Sequence, residues 1–342
     1  MATIFVSQTS GNDGNAGTSE GAPVKSLKQA VTNASSGDTI QILDSLTYQP
    51  GLAADGGRIL VGQKALSFVA ATGQTPVFAG LGARTNGAGT LSAFNCSGMT
   101  VAGTVMSFEG ITFEDFNGSG NTIITSNGQT APTQKFIDCI FQNMDQSIIS
   151  NPAAASSGVP NLIDRCEIKS TTPDLFLGPG SHMQGDDHHI VIQNSIFHNT
   201  SSSPSTNYID CQNNNHTNGI IRNCTLLVDR ANGTTVIRFG VVENVIIKNT
   251  AAGSVDANLV GIDARSSYSN NCVNGTFGTS NGAIKDNTGS GATDGGGNIT
   301  TDPLFVNQSS IPEGLKLQSG SPCIGTGKTI AAVTVDFDGT SR

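Results

Sequence analysis

The segments FEGITF (108–113), FIDCIF (136–141), IDRCEI (163–168), IQNSIF (192–197), IRNCTL (221–226) and VENVII (242–247) are variations on one short motif. Its form is apolar, x, polar, small, x, apolar. The last apolar residues, Phe113, Phe141, Ile168, Phe197, Leu226 and Ile247, lie 28, 27, 29, 29 and 21 positions apart. Just upstream, Cys139, Cys166, Ser195, Cys224, Val245 and Cys272 form a column, preceded by Asn194, Asn223, Asn244 and Asn271. A second apolar ladder runs through Ile124, Ile149, Phe176, Ile209, Ile237 and Ile262 with a similar period. Within each repeat apolar and polar residues alternate between Gly, Asn, Ser and Pro turns, the pattern of short strands rather than helices. Strands repeating at fixed length stack as a solenoid, like residues above like in the interior, at about 4.8 Å per coil. Residues 66–300 at ~27 per coil predict about nine coils, or about 40 Å of β-helix.

Composition agrees. Of 342 residues 13% are charged and 36% hydrophobic, there are 42 Gly and no Trp, and helix-forming stretches are scarce. The recurrence of Val, Ile, Leu and Phe, with a net charge of only -9, argues for an ordered chain. Acidic residues outnumber basic ones, 26 to 17, without a basic cluster, which speaks against nucleic acid as a partner. No apolar run is long enough to insert in a membrane as a helix. The opening MATIFVSQTS shows no secretion signal. Seven cysteines without a CxxC pair favour buried free thiols over a disulfide framework or a zinc site, and no metal is expected.

The two ends differ from the middle. VKSLKQAVTNA (24–34) places Val24, Leu27, Ala30 and Val31 at helical spacing, and GDTIQIL (37–43) follows as a strand. A helix there covers the mouth of the solenoid and its unpaired strand edge. DNTGSGATDGGGNIT (286–300) is too rich in Gly for a strand and leads to a separate closing segment. The organisation expected is therefore an N-terminal cap with first rungs (1–65), a parallel β-helix (66–300) and a C-terminal closing module (301–342).

The opening TIFVSQTSGNDGNAGTSEGAPVKSLKQAV (3–31), with GDTIQIL, and the ending TDPLFVNQSSIPEGLKLQSGSPCIGTGK (301–328) resemble the right-handed parallel β-helix proteins of the pectate-lyase-like superfamily. The likeness is greatest to bacteriophage tailspike or virion-decorating members. It covers the two ends, while the central coils match in periodicity alone. The resemblance implies an all-β, right-handed parallel β-helix. It also implies a structural or adhesive protein on a virion surface, assembled as a homotrimer with other virion proteins and binding host polysaccharide. The alternatives it carries are a polysaccharide lyase or glycoside hydrolase acting in a groove along the solenoid, and a bacterial surface adhesin. Ca²⁺ enters only with the lyase. Leu177 and Leu227, apolar on otherwise polar faces, are the residues that neighbouring copies would bury.

Two columns and one turn hold the candidate chemistry. Asp210, Arg238 and Asp263 follow the second ladder on successive coils and read as a charge ladder, with catalytic residues of a lyase as the other reading. Two acids beside Arg238 are few for Ca²⁺, which takes six or more oxygens. Gly185-Asp186-Asp187-His188-His189 is a polar turn or, alternatively, a metal or ligand site through Asp186, Asp187 and His188, or a pair of catalytic acids. Glu114, Gln142, Lys169, His198, Leu227 and Lys248 form a mixed outward column in which His198 is a candidate ligand contact.

Overall fold

The computed structural model describes residues 1–50, 59–80, 93–96, 104–116, 123–125, 132–144, 148–149, 159–170, 190–199, 207–210, 219–229, 231, 235–252, 254–278, 283–285 and 292–341. Every strand ladder among them is parallel, and the fold is a parallel β-helix. Among the described residues ten strands of its first sheet fall between residues 66 and 300, Asn207–Asp210 among them, and two more precede them. The described residues form two compact units, one up to residue 162 and one from residue 163 on.

In the first unit one sheet runs through Thr3–Val6, Thr39–Ile42, Leu66–Ala70, Val105–Glu109 and Thr133–Ile137. A second runs through Thr47–Tyr48, Val77–Ala79, Thr112–Glu114 and Ile140–Gln142, and a third through Ile59–Leu60, Phe94–Asn95 and Ile124–Thr125. Residues in register stack inside. Phe68, Phe108 and Phe136 lie nearly parallel at 5.1 and 5.3 Å between centroids, and Phe113 stacks on Phe141 at 5.3 Å. Adjacent columns meet edge to face, as for Phe108 and Phe113 at 85°, the geometry that aromatic quadrupoles favour.

The second unit repeats this with aliphatic residues. Its first sheet holds Ile190–Gln193, Ile220–Arg222, Thr235–Glu243, Val260–Ser269 and Thr293–Asp294, with Asn207–Asp210 also pairing to Thr235–Glu243. Its second sheet holds Glu167–Ser170, Ile196–Asn199, Thr225–Val228, Ile246–Asn249 and Cys272–Gly275. There Ile168, Phe197, Leu226, Ile247 and Val273 stand in one register, the column the spacing predicts.

Between the two sheets, from Gly110 on, the coil turns on a single left-handed residue at seven places. Gly110, Asp138, Arg165, Asn194, Asn223, Asn244 and Asn270 all have φ between 49° and 69°. Asn and Asp are the non-Gly residues that tolerate this region best. The carbonyl two residues before the column accepts from the backbone N–H of the neighbouring coil's bend, Gly110 N to Ile137 O at 3.1 Å, Arg165 N to Gln193 O at 3.3 Å and Asn194 N to Arg222 O at 3.3 Å, and the small residue supplies a second donor. Cys139 Sγ donates to Ile137 O at 3.3 Å, Cys166 Sγ to Asp164 O at 3.3 Å, Ser195 Oγ to Gln193 O at 2.8 Å and Cys224 Sγ to Arg222 O at 3.2 Å. The column is therefore structural. On the last coil it departs from the expected alignment: Asn270 makes the bend, Asn271 occupies the small-residue column, and Cys272 sits one place on, paired with Ile246 and facing outward. Asn271 Oδ1 accepts from Val245 N at 2.9 Å, much as Ser195 Oγ accepts from Cys166 N at 3.1 Å.

A helix spans Leu27–Asn33, shorter than the predicted 24–34. Ser26 caps it, Oγ accepting from Gln29 N at 3.1 Å, and Leu27, Ala30 and Val31 are buried against the first coil. Val24 is buried too, but in a parallel bridge to Val6. The closing segment, from residue 301, folds over the outer face of the second unit's second sheet. Phe305 and Leu315 bury Ile196 and Leu227 there, flanked by Ile246, Ile311, Leu317 and Phe337. Leu227 is thus covered by its own chain and not left for a neighbouring copy. Leu177 lies outside the described residues.

Candidate functional site

The asparagine bends form a strip along one edge of the second unit. Asn194 Nδ2 donates to Asp164 Oδ1 at 3.0 Å, and Asn244 Nδ2 donates to Asn223 Oδ1 at 2.9 Å. The far end of the strip holds the closing segment. Asn244 accepts from Lys328 N at 2.9 Å and donates to Lys328 O at 2.8 Å, and Asn270 Nδ2 donates to Thr326 O at 2.8 Å. Lys328 Nζ is also paired with Glu243, and Lys248 Nζ with Asp302 at 2.7 Å.

Where the closing segment leaves this strip it opens two clefts that share Asn223 and Thr225. The first, about 190 Å³, has one wall of Asn194, Ser195, Ile196, Asn223 and Thr225. Its other wall is Pro312, Glu313, Leu315, Lys316, Asp336, Phe337 and Asp338. The turn 336–340 that carries its acids is held by Asp336 itself, whose N donates to Thr340 O at 2.9 Å and whose Oδ1 accepts from Thr340 N at 2.8 Å. Lys316 Nζ stands 3.7 Å from Asp338 Oδ2, both side chains well exposed. Three carboxylates thus face one ammonium group. Asn194 is 1% exposed, and its Oδ1 accepts no hydrogen bond among the described residues. A buried amide oxygen left without a donor costs about 1–3 kcal/mol, so a ligand hydroxyl or amide would be favoured there.

The sequence-predicted residues lie elsewhere. Asp210, Arg238 and Asp263 are in register on successive coils, as the spacing predicts. Asp263 is not a solvated rung, however. Only 2% of its side chain is exposed, with Arg238 Nε at 3.3 Å and Arg265 Nη2 at 3.1 Å from the same Oδ2. The alternation of the strand makes Arg265 its second neighbour, a partner that counting coils does not reveal. Both guanidinium groups meet at Oδ2 of this one carboxylate and neutralise its charge. Among the described residues no group of three or more His, Cys, Asp or Glu is placed to hold a metal ion.

His198 lies beside Lys169 in the second sheet, in the expected column. Burial lowers its pKa, Glu167 acts to raise it and Lys169 to lower it. Glu167, 7% exposed, pairs with Lys169 Nζ at 3.1 Å. Gln142 Nε2 donates to Glu114 Oε2 at 2.8 Å in the same column of the first unit. Asp186, Asp187 and His188 lie outside the described residues. The cleft residues Glu313, Lys316, Asp336 and Asp338 escape sequence reading because no periodicity reaches them. Their one signal is the DFDG run (336–339) at the end of the family-like closing segment.

No family model matches the chain, and no curated protein matches it. Among solved structures it is similar to the GH136 lacto-N-biosidase of Eubacterium ramulus, with a TM-score of 0.40 and 11% identity over 86% of this chain. It is also similar to XylC in complex with xylose, with a TM-score of 0.38 and 9% identity, covering 89% of this chain and 68% of that one. The chain spans 55% of the lacto-N-biosidase.

Proposed function

We propose that this chain is a glycan-binding β-solenoid whose ligand site is the cleft between the asparagine bends and the closing module. The observation that carries the reading is the pairing, in a cleft of about 190 Å³, of an apolar wall (Ile196, Leu315, Phe337) with the under-bonded Asn194 amide and ionised groups. A sugar ring asks for that combination: hydroxyls for the polar side, C–H faces for the apolar side. The acid excess of Glu313, Asp336 and Asp338 over Lys316 favours neutral or amino-bearing sugars and repels uronates, which removes the usual substrates of a lyase. The setting is the one the family resemblance implies, an extracellular adhesive component displayed on a bacteriophage particle, with a homotrimer as its assembled form.

The second reading is a glycoside hydrolase. It is favoured by the three carboxylates on one cleft, since hydrolysis uses a pair of them, one as acid and one as base or nucleophile. Both readings are tested by titrating the protein against a panel of neutral, amino and uronic oligosaccharides while assaying new reducing ends. Binding of a neutral or amino glycan without cleavage, weakened about tenfold or more by Lys316→Ala with Asp338→Asn, is the expected result. Absence of binding across the panel would overturn the glycan reading. Release of reducing ends that Asp338→Asn or Glu313→Gln abolishes would put the hydrolase first.

A further inference from the structure

Cys272 and Cys323 reach each other from different parts of the second unit. Cys272 opens the last strand of the second sheet and, one place off the internal column, points away from the core, its Sγ donating to Thr301 O at 3.3 Å. Cys323 belongs to the closing segment. Ser321 Oγ accepts from Cys323 N at 3.2 Å and donates to Pro303 O, which brings the turn back over residues 301–303. Asn270 Nδ2 donates to Thr326 O at 2.8 Å and Thr326 Oγ1 donates to Cys323 O at 3.0 Å, which holds Cys323 beside the last coil, and the two thiols act on each other's ionisation. Cys96, Cys139, Cys166 and Cys224 are all buried, whereas Cys323 is partly exposed. We propose that Cys272 and Cys323 are a covalent modification site, a disulfide that fastens the closing module to the last coil in an oxidising medium. The proposal does not depend on the glycan reading.

The chemistry has a defined order. Contact with Cys272 and Ser321 lowers the pKa of Cys323, while the same thiol contact and burial raise that of Cys272. Cys323 is therefore the thiolate that meets an external oxidant, a small disulfide such as oxidised glutathione. Its sulfur attacks one sulfur of the small disulfide and expels the other as thiolate. Cys272 then gives up its proton and attacks Cys323 Sγ, releasing the second small thiol. One small disulfide is reduced to two thiols, and the two protein thiols are oxidised to one disulfide.

The test equilibrates the folded protein with oxidised glutathione or with dithiothreitol, then counts thiols by maleimide labelling after denaturation. The reduced protein should show all seven cysteines of the chain and the oxidised protein five, with one cross-linked peptide pair, 272 with 323. Oxidation should raise the melting temperature by roughly 3–8 °C. Cys323→Ser should keep its remaining six thiols under both conditions, and its melting temperature should not respond to oxidant. Seven thiols after oxidation, or a cross-link to Cys211 or any other partner, would overturn the proposal.

Discussion

Asp263 shows what a single residue can hide. Its place in a column with Asp210 and Arg238 is legible because all three share one period; its burial is not, because Arg265, two positions along the same strand, plays no part in that period. An exposed pair is worth up to about 1 kcal/mol, whereas a buried carboxylate that loses a partner costs several. Arg238→Ala should accordingly lower stability by about 1–2 kcal/mol, with Arg265 retaining part of the pairing, and the double variant with Arg265→Ala by about 3 kcal/mol or more. Urea-induced unfolding measures both. Losses within about 0.5 kcal/mol for both variants would show that Asp263 is solvated. Cys272 teaches the complementary lesson. Asn270 and Asn271 offer two asparagines for one bend, and the sequence alone does not say which takes φ of 54°.

The helix Leu27–Asn33 was readable from its spacing, for Leu27, Ala30 and Val31 face the first coil as an amphipathic stripe. Its start was misplaced because Ser26, a favoured N-cap, outweighs the apolar Val24, which is buried equally well as a strand residue. With Leu27 2% exposed, Leu27→Asp sets an unpaired charge against the first coil and should cost about 2–4 kcal/mol, seen as a lowered melting temperature. An unchanged melting temperature would mean that the helix does not seal the stack. The strands themselves were plain in the sequence because alternation and period are local. The cleft was not. Its walls come from the bend strip and from a segment far along the chain, and they meet only after the closing module has folded over Leu227.

For the molecule as a whole, charge sets the partners it can accept. The chain carries a net -9, and its cleft adds three carboxylates to one ammonium group. In affinity electrophoresis a gel containing polygalacturonate should leave its mobility unchanged at low salt, where repulsion between like charges is greatest. Retardation there would restore the lyase reading. Leu227, 5% exposed, offers no surface to a second copy of the chain.

The left-handed corners carry a consequence for how such a chain lengthens over evolutionary time. They recur at Gly110, Asp138, Arg165, Asn194, Asn223, Asn244 and Asn270, intervals of 28, 27, 29, 29, 21 and 26 residues. The corners are alike although the stretches between them differ by as much as 8 residues. What is inherited as a unit is therefore corner to corner. A gene that loses residues 195–223 joins Asn194 to Cys224, and one that duplicates them joins Asn223 to Ser195, so either restores the same corner-to-column junction. A cut one residue longer or shorter that ends within a strand turns the interior face of that strand outward. Insertions between corners leave the stack intact and change what its flank presents, so the exterior can diversify while the length grows in whole turns.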